Sequence, residues 1–249
     1  MRDKAVPLIL LTRPAHQSAR MARLLKARFG AVIHTVEAPL QRIDPLPGIP
    51  SLEGVEGLIF TSENGVRCFA NMSPRRDFLT YCVGPRTAAI AREVGLTAEH
   101  AKGNASDLAA YILAQCPDGP LLHLHGTHTQ GDIPGKLAQA GLEVQGAAIY
   151  EQAAARPPPG FAAALGGPAT VIAPLYSPRS ATLFAQAAGG IRPGQWVLPC
   201  LSTAVKGALP PDLQALATIA TAPNTKAMIA AIANHISQRP RLEGQTKLV

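Results

Sequence analysis

The sequence predicts an α/β protein made of two similar parallel-sheet domains. Three observations lead there. Strand-like and helix-like signals alternate along the chain, the pattern of strand–helix–strand units rather than of segregated sheets and bundles. Groups of these elements recur in the two halves of the 249-residue sequence, as internal repeats do. The length, with 47% hydrophobic residues, suits two small cores slightly better than one large one.

Residues 6–12 read as a buried strand. Pro14 and Ser18 open an amphipathic helix in which Ala19, Ala22, Leu25 and Phe29 recur at near-helical spacing, and Gly30 closes it as a C-cap. Residues 31–39 form the next strand. Asp44-Pro45-Leu46-Pro47-Gly48-Ile49-Pro50 is too rich in proline for a helix or a central strand and is a connector. Residues 57–61 are a short strand running into Thr61-Ser62-Glu63-Asn64-Gly65, followed by a helix through Val66, Phe69 and Ala70. A strand at 81–84 leads to Pro85-Arg86-Thr87-Ala88 and a helix ending at Gly95. Gly103-Asn104-Ala105-Ser106-Asp107 precedes a helix over 108–115. A strand at 121–124 turns at His125-Gly126-Thr127, a helix over 133–140 stops at Gly141, and 144–150 is a further strand. Arg156-Pro157-Pro158-Pro159-Gly160 is a second connector. The polar tail 239–249 is expected to be disordered.

Two kinds of unit repeat. The A unit is strand, turn, helix, Gly, strand, at 8–36 and again at 121–150. The B unit carries Leu58-Ile59-Phe60-Thr61-Ser62 in the first half and Pro174-Leu175-Tyr176-Ser177-Pro178 in the second, each a strand ending in Ser. Within B, Thr87-Ala88 matches Thr203-Ala204, and Gly103-Asn104 matches Pro223-Asn224. Ser62 and Thr87 are 25 positions apart, Ser177 and Thr203 26. The order A-B-A-B implies two domains of one A and one B each. The repeat leaves open whether the first A joins the first B or the last.

In an open parallel sheet, ligands bind beyond the carboxyl ends of the strands. Thr61, Ser62, Thr87, Gly103, Asn104, Ser177, Ser202, Thr203 and Asn224 all stand there, at helix starts whose free N–H groups suit carboxylate or phosphate. Singly, each is an ordinary N-cap. Their recurrence in both halves, with a formal charge of +7, points to a ligand carrying many anionic groups.

Other classes find little support. No glycine-rich nucleotide fingerprint is present. His123, His125 and His128 lack an accompanying carboxylate or cysteine, so no metal is expected. Cys68, Cys82, Cys116 and Cys200 lie far apart and are expected to be buried reduced thiols. The single Trp196 is expected to pack in a core. Six Phe and one dense basic stretch, from Arg13 to Arg28, do not suit nucleic acid. No apolar run is long enough to span a membrane, and the N-terminus lacks a signal-peptide core, which predicts a cytoplasmic location and argues against a periplasmic-type receptor.

Leu11-Thr12-Arg13-Pro14, Leu58 to Ser62 with Asn64-Gly65-Val66, Val83-Gly84-Pro85-Arg86-Thr87-Ala88, Gly103-Asn104-Ala105, Gly141-Leu142-Glu143-Val144 with Ile149-Tyr150-Glu151, and Tyr176-Ser177-Pro178 stand in an order and spacing that resembles the uroporphyrinogen-III synthase family over about 8–236. Departures occur at Pro199-Cys200-Leu201-Ser202, where the family usually has Gly-Pro, and at His125-Gly126, where many members have Arg-Gly.

The resemblance implies the crossed pairing of units. One α/β domain is discontinuous, 1–37 plus 154–238; the other is 41–150; 38–40 and 151–153 form a two-stranded linker. It further implies that the partner is a small molecule, hydroxymethylbilane, bound between domains, and that the monomeric enzyme uses no cofactor, nucleic acid or membrane. Closure gives uroporphyrinogen III with inversion of ring D and loss of water. Tyr150 matches the tyrosine suspected as general acid. Arg13, Thr61, Ser62, Asn64, Thr87, Gly103, Asn104, Gly126, Ser177, Ser202 and Thr203 are the implied substrate-binding residues. A non-catalytic tetrapyrrole-binding or regulatory relative of the same fold is the alternative.

Overall fold

The structure is a computed structural model that describes residues 6–129, 131–189 and 196–237; the tail expected to be disordered lies outside them. The chain runs β1 (Leu8–Leu11), α1 (Ala15–Phe29), β2 (His34–Glu37), β3 (Gln41–Pro45), β4 (Gly57–Phe60), α2 (Glu63–Met72), β5 (Leu79–Cys82) and α3 (Pro85–Glu93). It continues through β6 (Thr97–His100), α4 (Ala105–Gln115), β7 (Leu121–Gly126), α5 (Ile133–Gln139), β8 (Val144–Ala154), α6 (Pro159–Gly166), β9 (Val171–Ile172) and α7 (Pro178–Ala188). β10 (Trp196–Cys200), α8 (Thr203–Gly207), α9 (Pro211–Gln214), β11 (Ala217–Ile219) and α10 (Thr225–Ser237) complete it. No helix among the described residues is long and apolar enough to cross a membrane.

Two compact units divide the chain, residues 1–42 with 154–249, and residues 43–153. In the first, five strands are ordered β2-β1-β9-β10-β11 and pair in parallel. Side chains of β1 alternate between two cores, which is why its sequence is an unbroken apolar run. Leu10 joins Phe161, Phe184 and Trp196 on one face; Ile9 and Leu11 join Met21, Leu25, Met228 and Ile232 on the other. Trp196 packs at a tilt with its ring centre 5.7 Å from that of Phe184, a packing role. Ala38 and Leu40 are buried in the first of these cores.

In the second unit, six strands are ordered β3-β8-β7-β4-β5-β6. β8 through β6 pair in parallel, and β3 lies antiparallel at the edge, with Leu46 N–H donating to Ile149 and Ala155 N–H to Leu40. Leu58, Phe60, Val66, Phe69 and Phe78 fill one face under α2 and α3. Ile59, Leu108, Ile112, Ile133 and Leu137 fill the other under α4 and α5.

Apart from edge strand β3, both sheets have one order in terms of the repeat units: second A strand, first A strand, then the three B strands. In the first unit A precedes B along the chain, and in the second it follows. The two sheets are therefore circular permutations of one another, and each has its topological switch between the first A strand and the first B strand. Those pairs are β1 with β9 and β7 with β4.

Several local expectations are corrected. Only His34–Glu37 of the predicted strand 31–39 forms a strand, because Gly30 at φ 55 lets the chain turn back through a 3₁₀ turn at Gly30–Val32. The connector at 44–50 begins two residues late, since Asp44 and Pro45 finish edge strand β3, where a missing N–H costs no ladder bond. Pro159 and Gly160, expected in the second connector, open α6, with proline in the first turn. Edge strand β6 had no apolar run to announce it, as Ala98 is its one buried side chain. Cys116 is exposed, unlike Cys68, Cys82 and Cys200, because it ends α4 in the left-handed conformation at φ 46. Burial pushes the Cys68 and Cys200 thiols up to about 11 and that of Cys82 to about 12, which keeps them protonated.

Candidate functional site in the second unit

β4 runs outward to β5 and β6, and the chain then returns across β4 to β7, so the loops after β4 and β7 separate at their carboxyl ends. This is where an open parallel sheet forms a crevice. An open cavity of about 720 Å³ lies there, within the range of small-molecule sites. Thr61 and Ser62 line it from the end of β4, Gly103, Asn104, Ser106 and Asp107 from the start of α4, Gly126 and His128 from the end of β7, and Tyr150 and Gln152 from β8. Lys136 on α5 closes the rim, its Nζ donating to Ser106 Oγ at 2.9 Å.

The helix starts are built by capping. Ser62 Oγ accepts the Asn64 N–H at 3.1 Å, and Asn104 Oδ1 accepts the Asp107 N–H at 2.8 Å. Each cap satisfies one donor and leaves other N–H groups of the first turn at the positive end of the helix dipole. Glu63, 6% exposed at the start of α2, is neutralised by Arg86 at 3.2 Å.

Tyr150 owes its place to a bulge. β7 and β8 pair His125 with Ala148 but Gly126 with Tyr150, so Ile149 is the extra residue. Strict alternation would send Ile149 and Tyr150 to opposite faces; the bulge resets it, and both join the core under α2. The phenol ring lies directly over Gly126, where an added Cβ would meet ring carbons at 2.7 and 2.8 Å. Gly126→Ala is therefore expected to cost about 1–3 kcal/mol through overpacking and to push Tyr150 out of position. Thermal unfolding and turnover should fall together, and a variant with native stability and turnover would contradict the close approach.

Burial raises the Tyr150 phenol above its ordinary value, a hydrogen bond from Ser62 opposes this, and Cys68 adds to the rise. The phenol is protonated at neutral pH and able to donate. The Ser62 hydroxyl, whose oxygen accepts the Asn64 N–H, lies within reach of the Tyr150 phenol, which lines the cavity.

Of the residues implied by resemblance, Thr61, Ser62, Gly103, Asn104, Gly126 and Tyr150 come together here. Asn64 and Thr87 do not line the cavity; both are buried within the first turns of α2 and α3, at 3% and 6% exposure. The others belong to the first unit. Arg13 stacks 4.3 Å above the Tyr176 ring, Ser177 caps α7 in a reciprocal box with Ser180, and Ser202 caps α8, of which Thr203 is the first residue. Burial pushes the Tyr176 phenol up to about 12, opposed by Arg13 and Arg20. Ser106, His128, Lys136 and Gln152 were missed as lining residues. Lys136 could have been found as a cation near the start of a helix that follows a central strand. No group of three or more His, Cys, Asp or Glu among the described residues could hold a metal ion.

The family model described as uroporphyrinogen-III synthase HemD matches residues 19–230. The crystal structure of uroporphyrinogen-III synthetase from Helicobacter pylori 26695 is similar with a TM-score of 0.61 at 15% identity, covering 92% of this chain and 99% of that one. A mutant uroporphyrinogen III synthase from the extremely thermophilic bacterium Thermus thermophilus is 15% identical over 93% of this chain and 97% of its own, with a TM-score of 0.47. No curated protein matches. At such identities the Helicobacter structure establishes a likeness of fold, and kinship rests on the family model, which spans most of the chain. The chain belongs to the uroporphyrinogen-III synthase family.

Proposed function

We propose that this chain is a cyclising lyase that converts hydroxymethylbilane to uroporphyrinogen III, with loss of water and inversion of ring D, as a cytoplasmic monomer. The observation that carries the mechanism is the Tyr150 phenol, buried over Gly126 at the wall of an open cavity beside Ser62. Tyr150 gives its proton to the terminal hydroxyl of the bilane as the C–O bond breaks and water leaves. The lone pair of the adjacent pyrrole nitrogen supplies the electrons, giving an azafulvenium electrophile. The substituted α-carbon of ring D attacks it, forming a spiro C–C bond; fragmentation and reclosure turn that ring over. The last pyrrole carbon releases a proton, which restores the Tyr150 phenol.

Without direction the electrophile closes at the nearer, unsubstituted carbon and gives the type I isomer. The remaining task is positioning, and oriented intramolecular reactions gain about 7–11 kcal/mol from it. Lys136, the first turn of α4 and the Thr61 hydroxyl offer donors for the substrate's carboxylates. Purified protein given freshly generated hydroxymethylbilane should yield the type III isomer on isomer-resolved chromatography. Only type I product would overturn the proposal.

A further inference from the structure

Two histidines of β7 take no part in the chemistry above, yet they grip both strand ends that frame the cavity. His123 is 2% exposed, and its Nε2 lies 3.4 Å from Thr61 Oγ1. Its Nδ1 is buried with no hydrogen-bond partner. The His125 ring lies 4.8 Å away, with Nδ1 2.8 Å from the Gly126 carbonyl oxygen. A carbonyl only accepts, so that nitrogen of His125 carries the proton.

A neutral imidazole has one N–H to place. On Nδ1 of His123 it would be an orphaned buried donor, the rarer and costlier outcome; on Nε2 it is donated to Thr61, and only a lone pair stays unmatched. Thr61 Oγ1 then accepts from beneath, and its own proton is left for an acceptor in the cavity.

We propose that His123 is a positioning residue that holds the Thr61 hydroxyl as a donor to a carboxylate oxygen of the bound tetrapyrrole, an assignment that rests on the cyclisation function above. Its surroundings agree. β4 and β8 set Ile59 and Gly146 beside it, and Tyr81 from β5 lies in the core on this face. The covering helices bring Asp107, Asp132 and Lys136, which are engaged at the rim with Asn104, Gly135 N–H and Ser106. Of the charged and titratable groups, His125 alone acts on the ring, and it opposes a positive charge there.

The test is a double-mutant cycle read in KM and in binding of uroporphyrin III, an octacarboxylate probe followed by its own fluorescence. His123→Leu should weaken both about 5- to 10-fold, the worth of one such hydrogen bond, with kcat unchanged. His123→Gln, whose amide nitrogen can reach Thr61, should restore most of the loss, and in a Thr61→Val background neither change should matter. An equal loss in both backgrounds, or no rescue by Gln, overturns the assignment. Nitrogen-15 NMR of the unaltered protein gives a second reading without substrate. A proton on Nε2 of His123 supports the assignment; one on Nδ1 overturns it even if the protein makes uroporphyrinogen III, whereas a protein that makes only type I loses the function instead.

Discussion

Tyr150→Phe is expected to lower kcat about 10²- to 10⁴-fold, the usual worth of a positioned general acid, while binding of the bilane changes little. The phenylalanine ring keeps its packing over Gly126 and in the core under α2, so the change isolates the hydroxyl. Losing the hydroxyl's hydrogen bond with Ser62 costs about 1 kcal/mol of stability. Single-turnover kinetics separate binding from chemistry: a slow chemical step at unchanged affinity is the expected result. Unaltered turnover would remove the acid role. Because burial moves the phenol upward, wild-type kcat should stay flat from neutral to mildly alkaline pH and show no acid limb from this residue.

The second large effect is on stability in acid. Burial, and then the charge on His125, lowers the pKa of His123 to about 4 from 6.5. Between those values the unfolded chain binds a proton that the folded one does not, so stability falls as pH drops from about 6.5 to about 4 and the penalty is constant below. The difference corresponds to about 3 kcal/mol at its limit. His123→Leu should be less acid-sensitive than wild type by that amount. The comparison cancels the carboxylates common to both. Hydrogen exchange at the β4, β5 and β7 amides reports the second unit, while fluorescence of Trp196, the single tryptophan, reports the first. Identical pH slopes for the two proteins would show that the imidazole titrates alike in the folded and unfolded chains.

Much of this fold was legible because burial writes itself into local sequence. β1 and β4 lie between two cores, so each is an uninterrupted apolar run. Ser62, Asn104 and Ser177 cap helices by side-chain bonds that depend only on residues two or three positions on. The capping positions that line the cavity could be named for the same reason, and the A-B-A-B repeat showed that such loops recur. Edge strands β3 and β6 were illegible because half of each faces solvent and their sequences lack a hydrophobic signature.

The linear order of chemistry therefore determined the elements, their caps and the family pattern of Tyr150, Ser62 and the Gly-Asn turn. The repeat alone left the pairing of its units open; tertiary structure shows the second sheet as a circular permutation of the first, since strand pairing joins residues far apart in the chain. Tertiary structure alone set Ile149 out as a bulge, turning Tyr150 onto the face where Ser62 and Gly126 meet it. And it converted His123 from a histidine in an apolar strand into a neutral group beneath Thr61. Caps and apolar runs are made by neighbours in sequence; a register shift and a desolvated ring are made by neighbours in space.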